Sequence, residues 1–405
     1  MRKPSANKGS RPISYPSLTK NFAERVVFTC IANQFEVSAP ELISYTGMPG
    51  STIAGILSRL VGRGLVAPNG TEIRQRGRPS IRYRVRIPRP ICACALEATQ
   101  VSVAVFDCDL ALCALEEHTF ETLNSLPDGI EAVAMAVSHL KKSLAAPAGL
   151  PPEIALEVNA VRLDRDRLVS SVLPWAEASL EKKLADKLGM KVKIVPPVAP
   201  LIAEKQKLRV RNPKSVIRFQ VGDGISAHGA FGGENYQGHS ALAGQLGHVI
   251  VDPTGPLCGC GRRGCLEAYC GGPALHKHLL EEIRSGVATS IDYKKLVKGS
   301  PRASIAALWE AWKLGDSYAR DFMRPVFERL AWSLGIVMDL IDPELVLACG
   351  YVLAERAEWI EEIRQRAQQW TLYSPSRPIP LALGRASLED ELRVTGTLYF
   401  YRLDR

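Results

Sequence analysis

Residues 244–267 constrain this chain more than any other segment. They read Gly244-Gln245-Leu246-Gly247-His248, then nine residues, then Cys258-Gly259-Cys260-Gly261-Arg262-Arg263-Gly264-Cys265-Leu266-Glu267. One imidazole and three thiolates suit a four-coordinate zinc ion, and the glycines let the backbone fold tightly around it. The expected ligands are His248, Cys258, Cys260 and Cys265. With no evident open ligand position, the expected Zn2+ role is structural. Cys270 is a rival ligand, although it falls where the next helix should start, and a glycine-rich turn with unrelated thiols is the plainer alternative. Cys30, Cys92, Cys94, Cys108, Cys113 and Cys349 lie in apolar runs, where a thiol packs as a small hydrophobe. The stretch Met1–Leu18 is polar and basic without an apolar signal core, and no run of 18 apolar residues occurs. The expected setting is therefore cytoplasmic, with no membrane span, and metal is a better reading of the loop than a disulfide.

Charge is distributed very unevenly. Residues 1–89 hold 15 Lys/Arg against Glu24, Glu36, Glu41 and Glu72, a net of +11, whereas the whole chain carries +9. The remaining residues are thus at −2. Such asymmetry suits a double-stranded DNA partner, and a solvated basic arm is its bland counterpart.

The apolar spacing in this part predicts helices over 21–32, 38–45 and 50–63. Ser38 with Glu41 three residues on forms a capping-box pattern, and Gly47 ends the second helix. Ile43, Ile53 and Ile56 are expected to fill the inside. Ser51, Thr52, Gly55, Ser58 and Arg59 project from the other face of the third helix, small enough near its start for close approach to a major groove. A two-stranded wing is expected from 71–76, a Gly77 turn and 81–87. Arginines on its Gly/Pro-stiffened stretch suit a narrow minor groove. The candidate DNA contacts are Ser51, Thr52, Ser58, Arg59, Arg63, Arg76 and Arg78; a helical packing motif with a charged surface is the competing reading.

From Pro90 the pattern changes. Strands are expected at 91–96, 101–107, 110–116, 154–159, 192–195 and 216–221. Helices are expected at 129–144, 178–188, 303–314, 317–341, 353–371 and 387–401. Strands interleaved with helices imply an α/β architecture in two lobes. The expected division is a disordered basic tail (1–17), a winged helix-turn-helix (18–89) and an α/β domain (90–405). Within that domain, lobe 1 takes about 90–212 plus the C-terminal helix 386–405, and lobe 2 takes about 213–385 with the zinc loop.

On the motif A-G-Q-L-G-H followed by C-x-C-G-x-x-G-C-L-E, the chain resembles the ROK family (repressors, open reading frames and sugar kinases) over roughly residues 18–405. Arg76-Gly77-Arg78-Pro79 matches the linker of its repressor branch, which includes the glucose and N-acetylglucosamine regulators. The resemblance implies an actin/hexokinase-like (ribonuclease H-like) fold with a sugar cleft between two lobes. It also implies zinc on His248, Cys258, Cys260 and Cys265, and a homodimer or homotetramer.

Family kinases carry D-x-G-G-T where this chain has Ala95-Leu96-Glu97-Ala98-Thr99. They carry G-T-G-I-G-G where it has Gly222-Asp223-Gly224-Ile225-Ser226-Ala227, and the catalytic N-D pair is Val195-Pro196 here. An acid should repel phosphate, and proline cannot serve as a base. No catalytic residue is therefore expected. Of the family's sugar contacts, those matching Gln245, His248 and Glu267 remain as candidate ligand-binding residues, with buttressing of the zinc loop as the alternative for Gln245 and Glu267.

The expectation is a sequence-specific DNA-binding regulator, a repressor of carbohydrate genes, responding to a sugar or sugar phosphate. Its rivals are a regulator released by a protein partner and an active sugar kinase.

Overall fold

Apolar residues at helical spacing between residues 22 and 62 give α1 (Phe22–Gln34), α2 (Ala39–Thr46) and α3 (Gly50–Gly62), with the short strand β1 (Glu36–Ser38) before α2. The computed structural model describes residues 22–402 apart from 35, 73–79, 145–148, 163–167, 178, 196, 209–212, 233 and 373–377. The basic tail, Arg76, Arg78 and Pro196 lie outside the described residues.

Two further strands, β2 (Val66–Glu72) and β3 (Ser80–Val85), complete an antiparallel sheet in the order β1-β3-β2. Helix α2 starts where the Glu41 carboxylate accepts from Ser38 N–H (2.7 Å) and Ser38 Oγ (2.8 Å). It ends at Gly47, whose φ of +68° favours glycine. Ile31, Leu42, Ile53, Ile56 and Leu60 pack together beneath. The expectation for Ile43 is corrected, because it is 38% exposed and its neighbour Leu42 is fully buried. Adjacent residues on a helix are about 100° apart, so α2 turns only one of the pair inward. The described parts of Met1–Arg89, Cys108–Leu110 and Thr397–Arg405 form one compact unit.

The second unit comprises Pro90–Asp107 and Ala111–Gly396. Its first lobe contains β4 (Ile91–Leu96), β5 (Gln100–Phe106), β6 (Leu112–Thr119), α4 (Leu126–Ser143), β7 (Glu153–Val158), the hairpin β8 (Val161–Arg162) and β9 (Leu168–Val169), α5 (Ser179–Leu188), β10 (Lys191–Ile194) and α6 (Ala199–Lys207). The sheet order is β10-β7-β4-β5-β6, with β4, β5 and β6 antiparallel and β7 and β10 parallel to β4. Strands β4 and β5 are buried on both faces, which explains their near-continuous apolar sequences. Cys113 departs from its expected packing: β6 is the edge strand, and this thiol is exposed.

The second lobe repeats the design. It contains β11 (Ser215–Val221), β12 (Ile225–Phe231), β13 (Glu234–Tyr236), α7 (Glu267–Cys270), α8 (Gly272–Arg284), α9 (Tyr293–Val297), α10 (Pro301–Lys313), α11 (Ser317–Ile341), β14 (Leu345–Cys349), α12 (Ala357–Ala367) and β15 (Leu381–Leu383). Its order, β13-β12-β11-β14-β15, is that of the first sheet when each is counted from its own first strand. Phe219, Leu330, Leu334 and Trp359 belong to its core. Helix α12 is shorter than expected at its start, because Glu355 adopts a left-handed φ of +62° and holds the chain in turns up to Arg356.

The last helix, α13 (Leu388–Arg402), returns to the first lobe, where a Cβ on Gly396 would lie 2.8 Å from Ile91 Cγ2 of β4. Among the described residues, no helix is long and apolar enough to cross a membrane.

Candidate metal centre and ligand cleft

The outward face of α3 carries the small polar residues expected there, with Ser51, Thr52 and Ser58 all exposed. Arg59 and Arg63 keep 53% and 44% of their side-chain surface. Both reach Glu24 of α1: Arg59 Nε donates to one carboxylate oxygen and Arg63 Nη1 lies 3.4 Å from the other. Glu24 is nearly buried, so it tethers two guanidinium groups at the end of α3 while cancelling only one of their charges. Sequence reasoning missed this tether, although Glu24 is the only acid before Glu36.

The cysteine loop converges as its spacing suggests. The ligand atoms of His248, Cys258, Cys260 and Cys265 all lie within 4.8 Å of one another. His248 Nδ1 is 3.7 Å from Cys258 Sγ, and Cys260 Sγ is 3.7 Å from Cys265 Sγ. A tetrahedral site with metal–sulfur bonds of about 2.3 Å has sulfur–sulfur edges of about 3.8 Å, so these four residues could hold a metal ion. Burial holds the Cys258 thiol well above its usual range, a state that a coordinated cation reverses. Gly264 makes the loop possible: its φ is +71°, and a Cβ there would lie 1.5 Å from the Asp252 carbonyl oxygen. Cys270 stands apart, with its thiol directed at the Val326 carbonyl at 3.9 Å.

Two turns meet at the mouth of the cleft, one between β4 and β5 and the other between β11 and β12. The Asp223 carboxylate, only 4% exposed, joins them. It accepts from Thr99 N–H (3.0 Å), from Thr99 Oγ1 (2.8 and 2.9 Å) and from the Tyr351 hydroxyl (2.8 Å). Beside it Glu97 pairs with Arg302 of α10, whose guanidinium lies 4.2 Å from the Tyr351 ring centroid. Burial pushes Glu97 up, Arg302 opposes the rise and Asp223 adds to it, leaving the carboxyl at about 7. Backbone N–H and hydroxyl groups in paired turns are what a bound phosphate uses. In this chain a protein carboxylate already accepts from them.

Beneath the turns lies a cavity of about 120 Å³. Gln245 and Glu267 are among its walls, and His248 is not. One Glu267 oxygen accepts from Ile225 N–H at 3.0 Å, and the other is 3.8 Å from Cys258 Sγ. Glu267 therefore joins the cavity wall to the cysteine loop. That loop also reaches the opposite lobe, since a Cβ on Gly259 would lie 2.0 Å from the Ser171 carbonyl oxygen.

Four titratable cavity residues escaped the sequence reading: Glu157, Arg218, His228 and Glu391. Arg218, 5% exposed, donates to Glu391 at 3.0 Å and also to Gln220. Glu157 accepts from Thr395 Oγ1 at 2.7 Å. Burial raises the Glu157 carboxyl to about 8, the Thr395 hydroxyl and Arg218 oppose the rise, and Glu391 and Glu97 reinforce it. Burial, aided by Arg218, lowers His228 to about 4. A signal did exist: a charge inside an otherwise apolar strand, as in Val216-Ile217-Arg218-Phe219, is costly without a partner or a use.

The profile of the ROK family matches residues 93–402. A relative named glucokinase from Thermotoga maritima is 29% identical over 243 residues, which is 58% of this chain and 74% of the relative. The crystal structure of a ROK family transcriptional regulator, a homolog of the E. coli MLC protein, superposes with a TM-score of 0.64 at 18% identity, over 94% of this chain and 98% of that one. A ROK family glucokinase from Streptomyces griseus, in complex with glucose and AMPPNP, superposes with a TM-score of 0.61 at 19% identity, over 76% of this chain and 98% of that one.

Proposed function

The chain belongs to the ROK family and has its two-lobed actin/hexokinase-like α/β fold, and from that premise we propose that it is a DNA-binding transcription regulator whose cleft senses a ligand without transferring phosphate. The observation that carries this reading is Asp223. Its carboxylate accepts from Thr99 and Tyr351 at the place where the family's kinases would cradle a nucleotide phosphate. A fixed anion there repels phosphate and competes for its donors. Val195, in place of the kinases' Asn, is buried and cannot hold a sugar hydroxyl.

The first unit is a winged helix-turn-helix: α2 and α3 are the helix pair, and β2 and β3 form the wing. Its +11 charge supplies the electrostatic grip, and Ser51, Thr52, Ser58, Arg59 and Arg63 present the reading face. The solved regulator overlaps 94% of this chain and the glucokinase 76%, a difference that supports the regulator branch. The loop that carries His248 and the three cysteines binds one structural zinc. The assembly is a homodimer or homotetramer, in which ligand closure of the cleft resets the spacing of two DNA-binding heads. A sugar or sugar phosphate is the effector class, and the genes controlled serve carbohydrate metabolism.

A gel shift of the full chain on its own upstream DNA, titrated with salt, tests the regulator. Sequence-preferring binding at moderate salt is expected, and binding that ignores sequence overturns it. The named glucokinase relative favours a second reading, an active kinase. Steady ADP release with a hexose, lost on mutating cleft residues, would establish that reading instead.

A further inference from the structure

We propose that the cleft cavity binds a small hydroxylated amine, with the ammonium on Glu157 and a hydroxyl oxygen accepting from Arg218 Nε. This assignment rests on reading the cleft as an effector site and adds the chemistry of the effector.

The argument begins with charge. Glu97, Glu157, Glu267 and Glu391 line the cavity against one lining guanidinium, Arg218. Glu97 has Arg302, and Glu391 has Arg218. Glu267 accepts from the Ile225 amide next to the cysteine loop. Glu157 has only the Thr395 hydroxyl and no ion pair among the described residues. A buried carboxyl held by one neutral donor is the group that a ligand cation would satisfy, since charge-assisted hydrogen bonds are the stronger kind.

A second, independent feature points the same way. Arg218 Nε is buried and lacks an acceptor among the described residues, although the other two guanidinium nitrogens are engaged. An unpaired buried donor is costly, and a ligand hydroxyl oxygen removes that cost. One ligand carrying both an ammonium and a hydroxyl group answers both unmet needs. Gln220 and Gln245 stand in the same lining to receive further hydroxyls. The volume of about 120 Å³ falls well below the roughly 300–1,000 Å³ usual for ligand pockets. That volume suits a small occupant, on the scale of a single sugar ring.

The test is calorimetry on the full chain with two matched pairs, D-glucosamine against D-glucose and ethanolamine against ethylene glycol. In at least one pair the amine should bind at least ten-fold more tightly at pH 7. Glu157→Gln keeps an oxygen for Thr395, and it should erase that preference. Equal binding within both pairs overturns the amine assignment and leaves the effector cleft standing, and so does a preference that survives Glu157→Gln. Should all four probes and a sugar-phosphate panel stay silent while operator DNA still binds, the cleft-ligand reading falls as well. The wild-type ratio within each pair needs no variant, so a poorly folding Glu157→Gln does not blunt the test.

Discussion

Asp223 concentrates more consequence in one side chain than any other residue of the cleft. Replacing it by Ala leaves Thr99 N–H, Thr99 Oγ1 and the Tyr351 hydroxyl without their buried acceptor. At about 1–3 kcal/mol per stranded donor, with partial rescue by water, Asp223→Ala should lose about 3 kcal/mol in urea denaturation. Asp223→Asn, which keeps an oxygen, should lose about half as much. Equal stability of Asp223→Ala and the parent would show that the contact holds nothing together. At this scale the sequence was readable where chemistry is local. His248 and the three cysteines lie within 18 residues and converge as their spacing suggests. Glu157, Arg218 and Glu391 come from three distant segments, and only the fold brings them to one cavity.

At the start of α11, one carboxylate gathers four hydrogen bonds. Asp316 accepts from Ala319 N–H (3.2 Å), Ser290 N–H (2.7 Å), Ser290 Oγ (2.7 Å) and Thr289 Oγ1 (2.9 Å). Burial alone would raise this carboxyl, but the donors outweigh it and bring it to about 2. A depressed carboxyl stabilises the fold above its unfolded value near 3.8, and that contribution fades as pH falls from about 4 through about 2. Asp316→Ala should therefore cost about 1–2 kcal/mol at pH 7, allowing for solvent screening, with a gap from the parent that narrows below pH 4. A gap of constant size down to pH 2.5 would exclude the carboxylate as its cause. Long periodic elements such as α11 could be read from sequence to within a residue or two. The short apolar run Leu345–Cys349 could not, because five residues, the last four all buried, carry no period that separates strand from helix.

Taken as a whole molecule, the chain shows a duplication that its sequence hides. Two sheets share one strand order, and each lobe packs its own core. The charge asymmetry, by contrast, was visible from composition alone, and it sets a prediction for the intact protein. Arg59→Ala and Arg63→Ala should each weaken DNA binding and make the log–log salt slope shallower by about one. An unchanged slope in both variants would place these side chains off the DNA.

The carboxylate fixed between the two cleft turns also bears on what a regulator of the proposed kind could report. A sugar kinase that shuts around nucleotide and sugar together registers two concentrations at once, and its posture drifts with the energy state of the cell. On the proposed reading, a chain whose Asp223 occupies that spot would not register adenylate levels, and its response would follow a single metabolite in feast and famine alike.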